Sequence, residues 1–414
     1  MPVLAVLLTF SLLGGAPEVA TAAARPGFQG GVCWVGPAKP DGFAYLQRNG
    51  AGWVSVTPFG YGHKKKHAPP QGGYRHSRYP GESITGVRGV IREAHKASLQ
   101  VMLKPHIWFS TKDAWRGEIE MQSDEDWATW FRMYREFLDP FIEMAAAEKV
   151  AIFCIATELN GTVAREAQWR QLIADIRSRY DGQLTFAANW YQEYERIAFW
   201  DALDMIGVQA YFPLTKQQLP SVAEIAVAWQ PWRAQMAAVA ARTKRPIVLT
   251  EFGYKPVVGT TIEPWKWRDD NPSSVQAQLD AYEGAFQALH DAPWFRGVYA
   301  WKWFAAYSDG KPRGGRHRGN FSPQGLPAEE AMFRWYRKLA PRSRDASAPK
   351  KKTEVENAKD GTPDEQAPPS SKPSSKPKPK PKPPATPKPA GKPDAQPAEK
   401  QTPGSQVLSY QTKG

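Results

Sequence analysis

Two glutamates end long apolar runs in this chain of 414 residues. Residues 246–254 read PIVLTEFGY and residues 150–160 read VAIFCIATELN, so Glu251 and Glu158 each follow several apolar positions. A continuous apolar run of this length is typical of a parallel strand that is covered on both faces. Each strand would deliver a carboxylate at its end. Paired carboxyls are the groups that cleave glycosidic bonds.

The elements that must position these glutamates alternate along the chain. Eight short apolar runs predict strands at 31–36, 53–59, 101–108, 150–158, 184–190, 205–212, 247–252 and 297–303. We expect a helix in each gap, including 84–98, 125–148, 163–180, 222–242, 274–290 and 328–339. Eight such units favour an α/β fold, a (β/α)₈ TIM barrel, with one catalytic domain over residues 25–340.

In such a barrel the active site lies at the carboxyl ends of the strands. Besides the two glutamates, the predicted strand ends carry Trp34, Lys104, His106, Trp108, Asn189, Tyr211 and Trp301. Residues two apart share a face of a strand. This spacing groups Lys104, His106 and Trp108, then Gln209 with Tyr211, then Trp301 with Trp303. We therefore expect the listed strand-end side chains to surround a bound substrate.

At these residues the chain resembles glycoside hydrolase family 113, within clan A of retaining (β/α)₈ glycosidases. The resemblance covers about residues 30–339 and depends on the motifs ATEL (156–159), YFPL (211–214), LTEFGY (249–254) and FSPQGLPA (321–328). It implies endo-β-1,4-mannanase activity, with Glu158 as the acid/base on the fourth strand and Glu251 as the nucleophile on the seventh.

One position departs from the wider clan. Many clan A members have Asn immediately before the acid/base, where it binds the sugar 2-hydroxyl, whereas this chain has Thr157. Family 113 sequences are similar in lacking that Asn, which favours the narrower assignment. Asn189 is then the candidate for the 2-hydroxyl contact.

The remaining candidates have a binding role and a packing role open to them. Tyr211 is placed to hydrogen-bond the nucleophile, or is an aromatic residue at the barrel mouth. Trp301 suits the floor under the sugar, because an indole face matches the apolar face of a pyranose. Lys104 and His106 would bind sugar hydroxyls. Sugar stacking and plain packing stay open for Trp108, Trp190, Trp265, Trp267 and Trp303.

Basic residues crowd two loops that should overhang the catalytic face. One loop contains His63, Lys64–Lys66, His67, Arg75, His76 and Arg78, and the other contains Lys311, Arg313, Arg316, His317 and Arg318. They suggest either a hydrolase of an anionic or amino-sugar cell-envelope glycan or a solvated basic rim. A metal site would need further ligands near the two histidines of the first loop. We therefore expect neither a metal nor a cofactor.

Two other classes of protein fit less well. A non-catalytic carbohydrate-binding barrel would keep the tryptophans and lose a carboxylate, but both glutamates are present. The net charge of +13 suggests nucleic acid, yet the predicted domain has no basic helix with interleaved aromatics. We therefore expect a polysaccharide or oligosaccharide as the partner, no nucleic acid, and a monomer.

The two ends of the chain differ in composition from the middle. An apolar run at 3–13 followed by three alanines at 22–24 predicts a signal peptide over 1–24 and a secreted or periplasmic protein. Residues 341–414 are rich in Lys and Pro and predict a disordered tail. The tail has fifteen Lys and Arg against eight Asp and Glu, so +7 of the +13 lies outside the domain. It is either a tether to the cell envelope or a solvated spacer.

The two cysteines, Cys33 and Cys154, fall on the first and fourth predicted strands. These strands are not neighbours in a barrel, so a disulfide is disfavoured. We expect both cysteines to be small buried hydrophobic residues.

Overall fold

A computed structural model describes residues 27–62, 67–109, 115–267, 271–307 and 320–340. The strands are β1 Gln29–Val35, β2 Trp53–Val56, β3 Phe59–Gly62, β4 Arg75–His76, β5 Gln100–Leu103, β6 His106–Phe109, β7 Ile152–Thr157, β8 Gln183–Asn189, β9 Met205–Gln209, β10 Ile247–Phe252 and β11 Phe295–Phe304. The helices are α1 Pro40–Asn49, α2 Ile84–Lys96, α3 Asp124–Ala147, α4 Glu166–Arg177, α5 Val222–Ala228, α6 Gln230–Thr243, α7 Val275–Leu289 and α8 Pro327–Leu339.

Within these residues, eight parallel strands close into a barrel in the order β1, β2, β5, β7, β8, β9, β10 and β11. Most of the helices lie between successive barrel strands in the chain. The predicted (β/α)₈ fold class is confirmed. The fourth barrel strand is β7 and the seventh is β10, so both glutamate-bearing runs are barrel strands.

The second and third predicted strands were wrong in length. Each breaks into a barrel strand and a second strand, and β3 and β6 join β4 in a separate three-stranded sheet. Pro58 and Pro105 lie at the two breaks. Proline has no backbone N–H to donate to a ladder, so the barrel pairing ends there and a new pairing begins.

Two helix predictions also need correction. The predicted helix at 222–242 divides into α5 and α6 at Trp229, because Pro231 occupies the first turn of α6 and cannot continue a preceding helix. Between β8 and β9 the expected helix is replaced by a 3₁₀ turn at Trp200–Ala202.

The apolar core has an inner and an outer layer. Inside the barrel a small cluster contains Cys33, Met102, Ile152, Met205, Val248 and Tyr299. A larger cluster lies between the strands and the helices and includes the fully buried Trp130, Trp169, Trp200 and Trp229. Several tryptophans therefore stabilise the fold. Cys33 and Cys154 are buried free thiols, as the sequence predicted.

None of the helices described above is both long and apolar enough to cross a bilayer. The predicted signal peptide at 1–24 and the predicted tail at 341–414 lie outside the described residues.

Candidate active site

Glu251 is brought to the barrel mouth by an irregularity near the end of β10. Leu249 lies opposite Val208 and Glu251 lies opposite Gln209, so β10 has one extra residue between these pairs. A β-bulge of this kind changes the face to which the following side chain points. Glu251 consequently meets side chains from the ends of other strands.

Two donors hold the carboxylate of Glu251. The ammonium of Lys104 donates to Oε1 at 2.5 Å, and the hydroxyl of Tyr211 donates to Oε2 at 3.0 Å. The Lys104 side chain is fully buried and that of Glu251 is 6% exposed. Burial lowers the pKa of Lys104, but the charge and hydrogen bond of Glu251, together with Cys33 and Cys154, outweigh this and the net direction is upward. Burial and the Glu251 charge hold the pKa of Tyr211 well above its usual range.

His106 lies beside the same carboxylate without forming an ion pair. Its Nε2 is 3.8 Å from Oε1 of Glu251, beyond hydrogen-bond distance. Burial, together with the charges of Lys104 and Arg116, lowers the pKa of His106 well below its usual range. The imidazole is therefore neutral at pH 7. Its ring lies parallel to the indole of Trp301, with 6.4 Å between the ring centroids.

Glu158 follows β7 directly, and its backbone is also unusual. Between Cys154 and Thr157, β7 has one more residue than the facing segment of β8. Glu158 then adopts a φ of 51°, in the left-handed region that costs a residue with a Cβ about 1–2 kcal/mol. Its N–H donates to the carbonyl of Ala187 at 2.9 Å, which holds the turn against β8.

The surroundings of Glu158 have opposite effects on the pKa of its carboxyl. Arg116 donates from Nη2 to Oε2 of Glu158 at 2.5 Å. Burial raises the pKa of Glu158, Arg116 lowers it, and the negative charge of Glu251 raises it, with a net upward direction. The two glutamates are thus close enough to interact electrostatically, and Glu158 is the one whose proton is favoured.

Arg116 was missed by the sequence analysis. It lies in a 3₁₀ turn at Arg116–Glu118, where it also donates to the carbonyl of Thr157 at 3.1 Å. Its guanidinium carbon is 5.5 Å from the ring centroid of Trp108, within cation–π range. An arginine in a loop has no periodic pattern around it, so no sequence signal could have distinguished it.

The structure brings four of the predicted side chains together around Glu251: Lys104, His106, Tyr211 and Trp301. The ammonium of Lys104 is 5.6 Å from the ring centroid of Trp301. Trp108 joins the site on the other side, through Arg116 and Glu158. Because β6 begins after Pro105, the shared face predicted for Lys104, His106 and Trp108 does not come from one continuous strand.

Trp34 does not lie in this group. It is 2% exposed, packs against Phe43 of α1 with 4.1 Å between ring centroids, and donates from its indole N–H to the carbonyl of Pro37. Cys33 belongs to the cluster inside the barrel, so alternation along β1 turns Trp34 outward toward the helices.

Trp303 is also a core residue, and its predicted shared face with Trp301 was wrong. It is 1% exposed and packs near Tyr45 and Phe333. The β1–β11 ladder pairs Val32 with Ala300 and Trp34 with Trp303, so β11 contains one extra residue. This bulge reverses the alternation between the two indoles. Trp301 consequently packs against the inner cluster and Trp303 against the outer one.

Asn189 closes a turn at the end of β8. Its Oδ1 accepts from the N–H of Tyr191 at 2.9 Å, and its own N–H donates to Oε2 of Glu193 at 2.5 Å. Among the described residues its amide nitrogen has no partner. Glu193, which the sequence analysis also missed, is fully buried. Burial raises its pKa to about 8; the Asn189 N–H lowers it and the charge of Glu158 raises it.

Two of the remaining indoles form an aromatic pair beside the mouth. Trp190 stacks on Trp265, with 5.0 Å between ring centroids and an angle of 26° between the planes, and both are partly exposed.

A cleft opens beside the segment that follows Glu158. It has a volume of about 640 Å³ and is lined by Glu118, Glu120, Asn160 and Arg196, among other residues. Its lining combines carboxylate, amide and guanidinium groups with apolar side chains such as those of Ile119 and Val163.

Most of the basic loop residues fall in the gaps between the described ranges. His63, Lys64–Lys66 and the segment 311–318 lie outside the described residues. His76 is partly buried, packs its ring on Phe137 and contacts that residue's carbonyl oxygen at 2.9 Å, so it lies against α3. Nδ1 of His67 lies 3.3 Å from the carbonyl oxygen of Glu120.

Comparison with known proteins agrees with the barrel fold. The family model for Glycoside Hydrolase Family 113 matches residues 32–317, more than half of the chain. The chain belongs to glycoside hydrolase family 113. The predicted family resemblance is confirmed, and family 113 membership makes this protein a glycoside hydrolase.

Solved family 113 structures are similar over most of their length. The GH113 β-mannanase AaManA from Alicyclobacillus acidocaldarius, solved in complex with ManMIm, is 26% identical, with a TM-score of 0.65 over 76% of this chain and 98% of that chain. A GH113 β-1,4-mannanase solved as a complex is 21% identical, with a TM-score of 0.63 over 75% of this chain and 99% of its own, and shares the fold. No curated protein matches the chain.

Proposed function

We propose that this family 113 protein is a retaining glycoside hydrolase that cleaves β-1,4-linked mannan, with Glu251 as the nucleophile and Glu158 as the acid/base. The observation that carries the proposal is the unequal surroundings of two interacting glutamates. Glu251 accepts from Lys104 and Tyr211, donors that suit a carboxylate. Burial and the charge of Glu251 favour a proton on Glu158. The likeness to AaManA supports mannan as the substrate.

In the first step, an oxygen of Glu251 attacks the anomeric carbon and the bond to the leaving sugar breaks. Glu158 gives its proton to the departing oxygen, so that an alcohol leaves rather than an alkoxide. The product is a glycosyl ester on Glu251. A retaining pair needs its carboxyls about 5 to 5.5 Å apart for this attack.

In the second step, Glu158 takes a proton from water while the water oxygen attacks the anomeric carbon from the face that the first sugar left. The ester bond breaks and the carboxylate of Glu251 is regenerated. Esterification removes the negative charge of Glu251, which had raised the pKa of Glu158. Glu158 therefore becomes a better base once the first step has occurred.

The surrounding side chains divide the remaining tasks. Trp301 offers an indole face to the sugar next to the scissile bond, and the neutral His106 beside it offers an uncharged imidazole to a sugar hydroxyl. Lys104 and Tyr211 orient the nucleophile. Asn160 lines the cleft described above and follows Glu158 by two residues in the chain, so the cleft is where we place the leaving sugar.

The test compares wild-type protein with Glu158→Gln and Glu251→Gln on mannan, glucomannan, chitosan and uronate polymers. We expect mannan to be cleaved fastest, with proton NMR showing that the first product keeps the β configuration. Glu251→Gln should lose at least about 10³-fold in kcat, because the ester cannot form. Glu158→Gln should lose about 10² to 10⁴-fold, the usual contribution of acid–base catalysis.

Glu263→Gln is the matched control. Glu263 follows β10 in the chain, but its carboxylate forms an ion pair with Lys266. This variant should keep wild-type rates. An inverted first product, or undiminished cleavage by Glu251→Gln, would refute the assignment.

A further inference from the structure

Lys302 presents a second ammonium at the carboxyl end of the barrel. It follows Trp301 in β11. Its Nζ is 4.3 Å from the ring centroid of Trp267, 4.9 Å from that of Phe304 and 5.7 Å from that of Trp301. Three rings within about 6 Å of one ammonium form a cation–π cage. The same indole that suits the floor of the sugar site is therefore one wall of this cage.

Within the described ranges, the cage has no counter-charge at contact distance, unlike the two cationic side chains that touch the glutamates. Lys104 is paired with Glu251 and Arg116 with Glu158. Among the described residues, no carboxylate lies within ion-pair distance of Lys302. Lys302 is partly buried among these rings, and an ammonium that loses water without a counter-charge at contact distance is costly. Burial accordingly lowers the pKa of Lys302 to about 8, although Glu251 and Glu82 raise it from longer range.

Glu82 is the charged group that faces Lys302 from the segment before α2. Burial raises the pKa of its carboxyl, while a hydrogen bond from Ser77 and the charge of Lys302 lower it. Its Oε2 is buried and has no hydrogen-bond partner among the described residues. Lys302 and Glu82 therefore feel each other's charge without neutralising each other by contact.

The position of the cage is rigidly held. Gln324, which is 1% exposed, accepts from the N–H of Phe304 at 2.6 Å and donates to the carbonyl of the same residue at 3.1 Å. This side chain pairs with the end of β11 as a neighbouring strand would. The ring of Trp267 packs near Phe321, with 5.7 Å between ring centroids. Two sides of the cage are thus tied to the barrel scaffold before any ligand arrives.

We propose that Lys302 is a specificity-determining residue that binds a carboxylate on a substrate sugar, so that the enzyme accepts β-linked hexose chains containing uronic acid units. The proposal rests on the hydrolase function proposed above and names the substrate class of the same site. A sugar carboxylate would supply the counter-charge that no described residue gives Lys302 at contact distance, and would form a charge-assisted hydrogen bond with it. A hydroxyl would accept a hydrogen bond but leave the ammonium unneutralised.

Binding and cleavage can be separated by measuring affinity in a Glu158→Gln background. The probes are β-1,4-linked mannotetraose and the β-1,4-linked tetramer of mannuronate, titrated calorimetrically at pH 7. Lys302→Met should weaken mannuronate binding about 10- to 100-fold, the usual range for a hydrogen bond to a charged group, and mannotetraose binding less than about 3-fold. Lys302→Arg keeps the charge and should keep most of the mannuronate affinity that Lys302→Met loses.

Glu82→Gln is the discriminating variant. It removes a negative charge that faces the same ammonium, so it should strengthen mannuronate binding and leave mannotetraose unchanged. If Lys302→Met and Glu82→Gln both weaken the binding of mannotetraose as much as that of mannuronate, Lys302 and Glu82 recognise sugar hydroxyls and the proposal is overturned. It is equally overturned if Lys302→Met leaves mannuronate binding unchanged. Failure of wild-type protein to cleave mannan while this binding pattern holds would refute only the hydrolase proposal.

Discussion

At the scale of single residues, the unusual feature is an arginine next to the carboxyl that must carry a proton. Arg116 favours the ionised form of Glu158, whereas burial and the charge of Glu251 favour the protonated form. The net direction is upward, so the proton is favoured by a balance of opposing contributions. We infer that Arg116 limits how high the pKa of the acid/base rises, which keeps Glu158 able to act as a base in the second step.

Arg116→Gln removes a cation that lowers the pKa of Glu158. The alkaline limb of the kcat/KM profile follows loss of that proton, so it should move to higher pH by about one unit. Steady-state rates from pH 4 to 10 on mannan would measure the shift. Arg116→Lys keeps the charge and should move the limb less. Arg132→Gln removes an exposed arginine paired with Glu136 and should not move it. A limb that stays in place in Arg116→Gln would contradict this account.

At the scale of elements, both glutamates depend on irregular strands. One extra residue in β10 precedes Glu251, and one extra residue in β7 precedes Glu158. Regular strands would continue the alternation of inward and outward side chains, and each bulge resets it just before the functional carboxyl. A third bulge, in β11, separates the inner Trp301 from the outer Trp303. At the carboxyl end of the barrel, bulges therefore interrupt the regular pairing of these strands.

Gly253 follows β10 and lies close to the backbone of β11. A Cβ at Gly253 would lie 2.4 Å from the carbonyl oxygen of Trp301, so Gly253→Ala must push β10 and β11 apart. We expect a loss of about 1–3 kcal/mol in the free energy of unfolding, as for other overpacked sites. Displacing Glu251 from Trp301 should also lower kcat/KM on mannan about 10- to 100-fold.

Gly52→Ala is the matched control for this substitution. A Cβ at Gly52 has nothing within 4 Å, so neither stability nor rate should change by much. Denaturant unfolding and mannan hydrolysis would be measured for both variants. Equal behaviour of the two would show that the approach of Gly253 to Trp301 does not position the site.

At the scale of the whole molecule, a buried carboxyl links global stability to pH. Glu193 is fully buried near the end of β8, and burial raises its pKa to about 8. An unfolded chain would release that proton near its ordinary pKa of 4.5. Between these values the folded protein holds a proton that the unfolded chain has lost. The free energy of unfolding therefore falls as pH rises.

Glu193→Gln should flatten this dependence, because a neutral amide mimics the protonated carboxyl. The stability contribution of the carboxyl is fully present below pH 4.5 and is lost as pH rises through about 8. The wild-type protein should lose up to roughly 4 kcal/mol across that window from this group. Urea unfolding at pH 5, 6.5 and 8 would compare it with Glu193→Gln and with Glu136→Gln, an exposed carboxyl. If the free energy of unfolding changes equally with pH in all three proteins, the role of Glu193 is contradicted.

The sequence alone determined the order of the barrel strands and the ends of the chain segments that carry Glu158 and Glu251. This was accessible because the hydrophobic period of a strand or helix is local, and eight alternating units leave few other folds open. Lys104, His106, Tyr211 and Trp301 could also be named, because the carboxyl ends of parallel strands lie together at the mouth of the barrel. The same argument named Trp34 and Trp303, which face the helices instead. Pro58 and Pro105 are visible in the sequence, but the sequence analysis did not predict that each would end a barrel strand.

Only the tertiary structure decided which groups meet and which way they point. Trp34 and Trp303 belong to the core because alternation in β1 and the extra residue in β11 turn them outward. Neighbours distant in the chain determine the roles of three further residues. Arg116 and Glu193 interact with Glu158, and Lys302 lies among aromatic rings. Bulges and through-space charge have no fixed spacing in sequence, so neither leaves a pattern that can be read before the chain is folded.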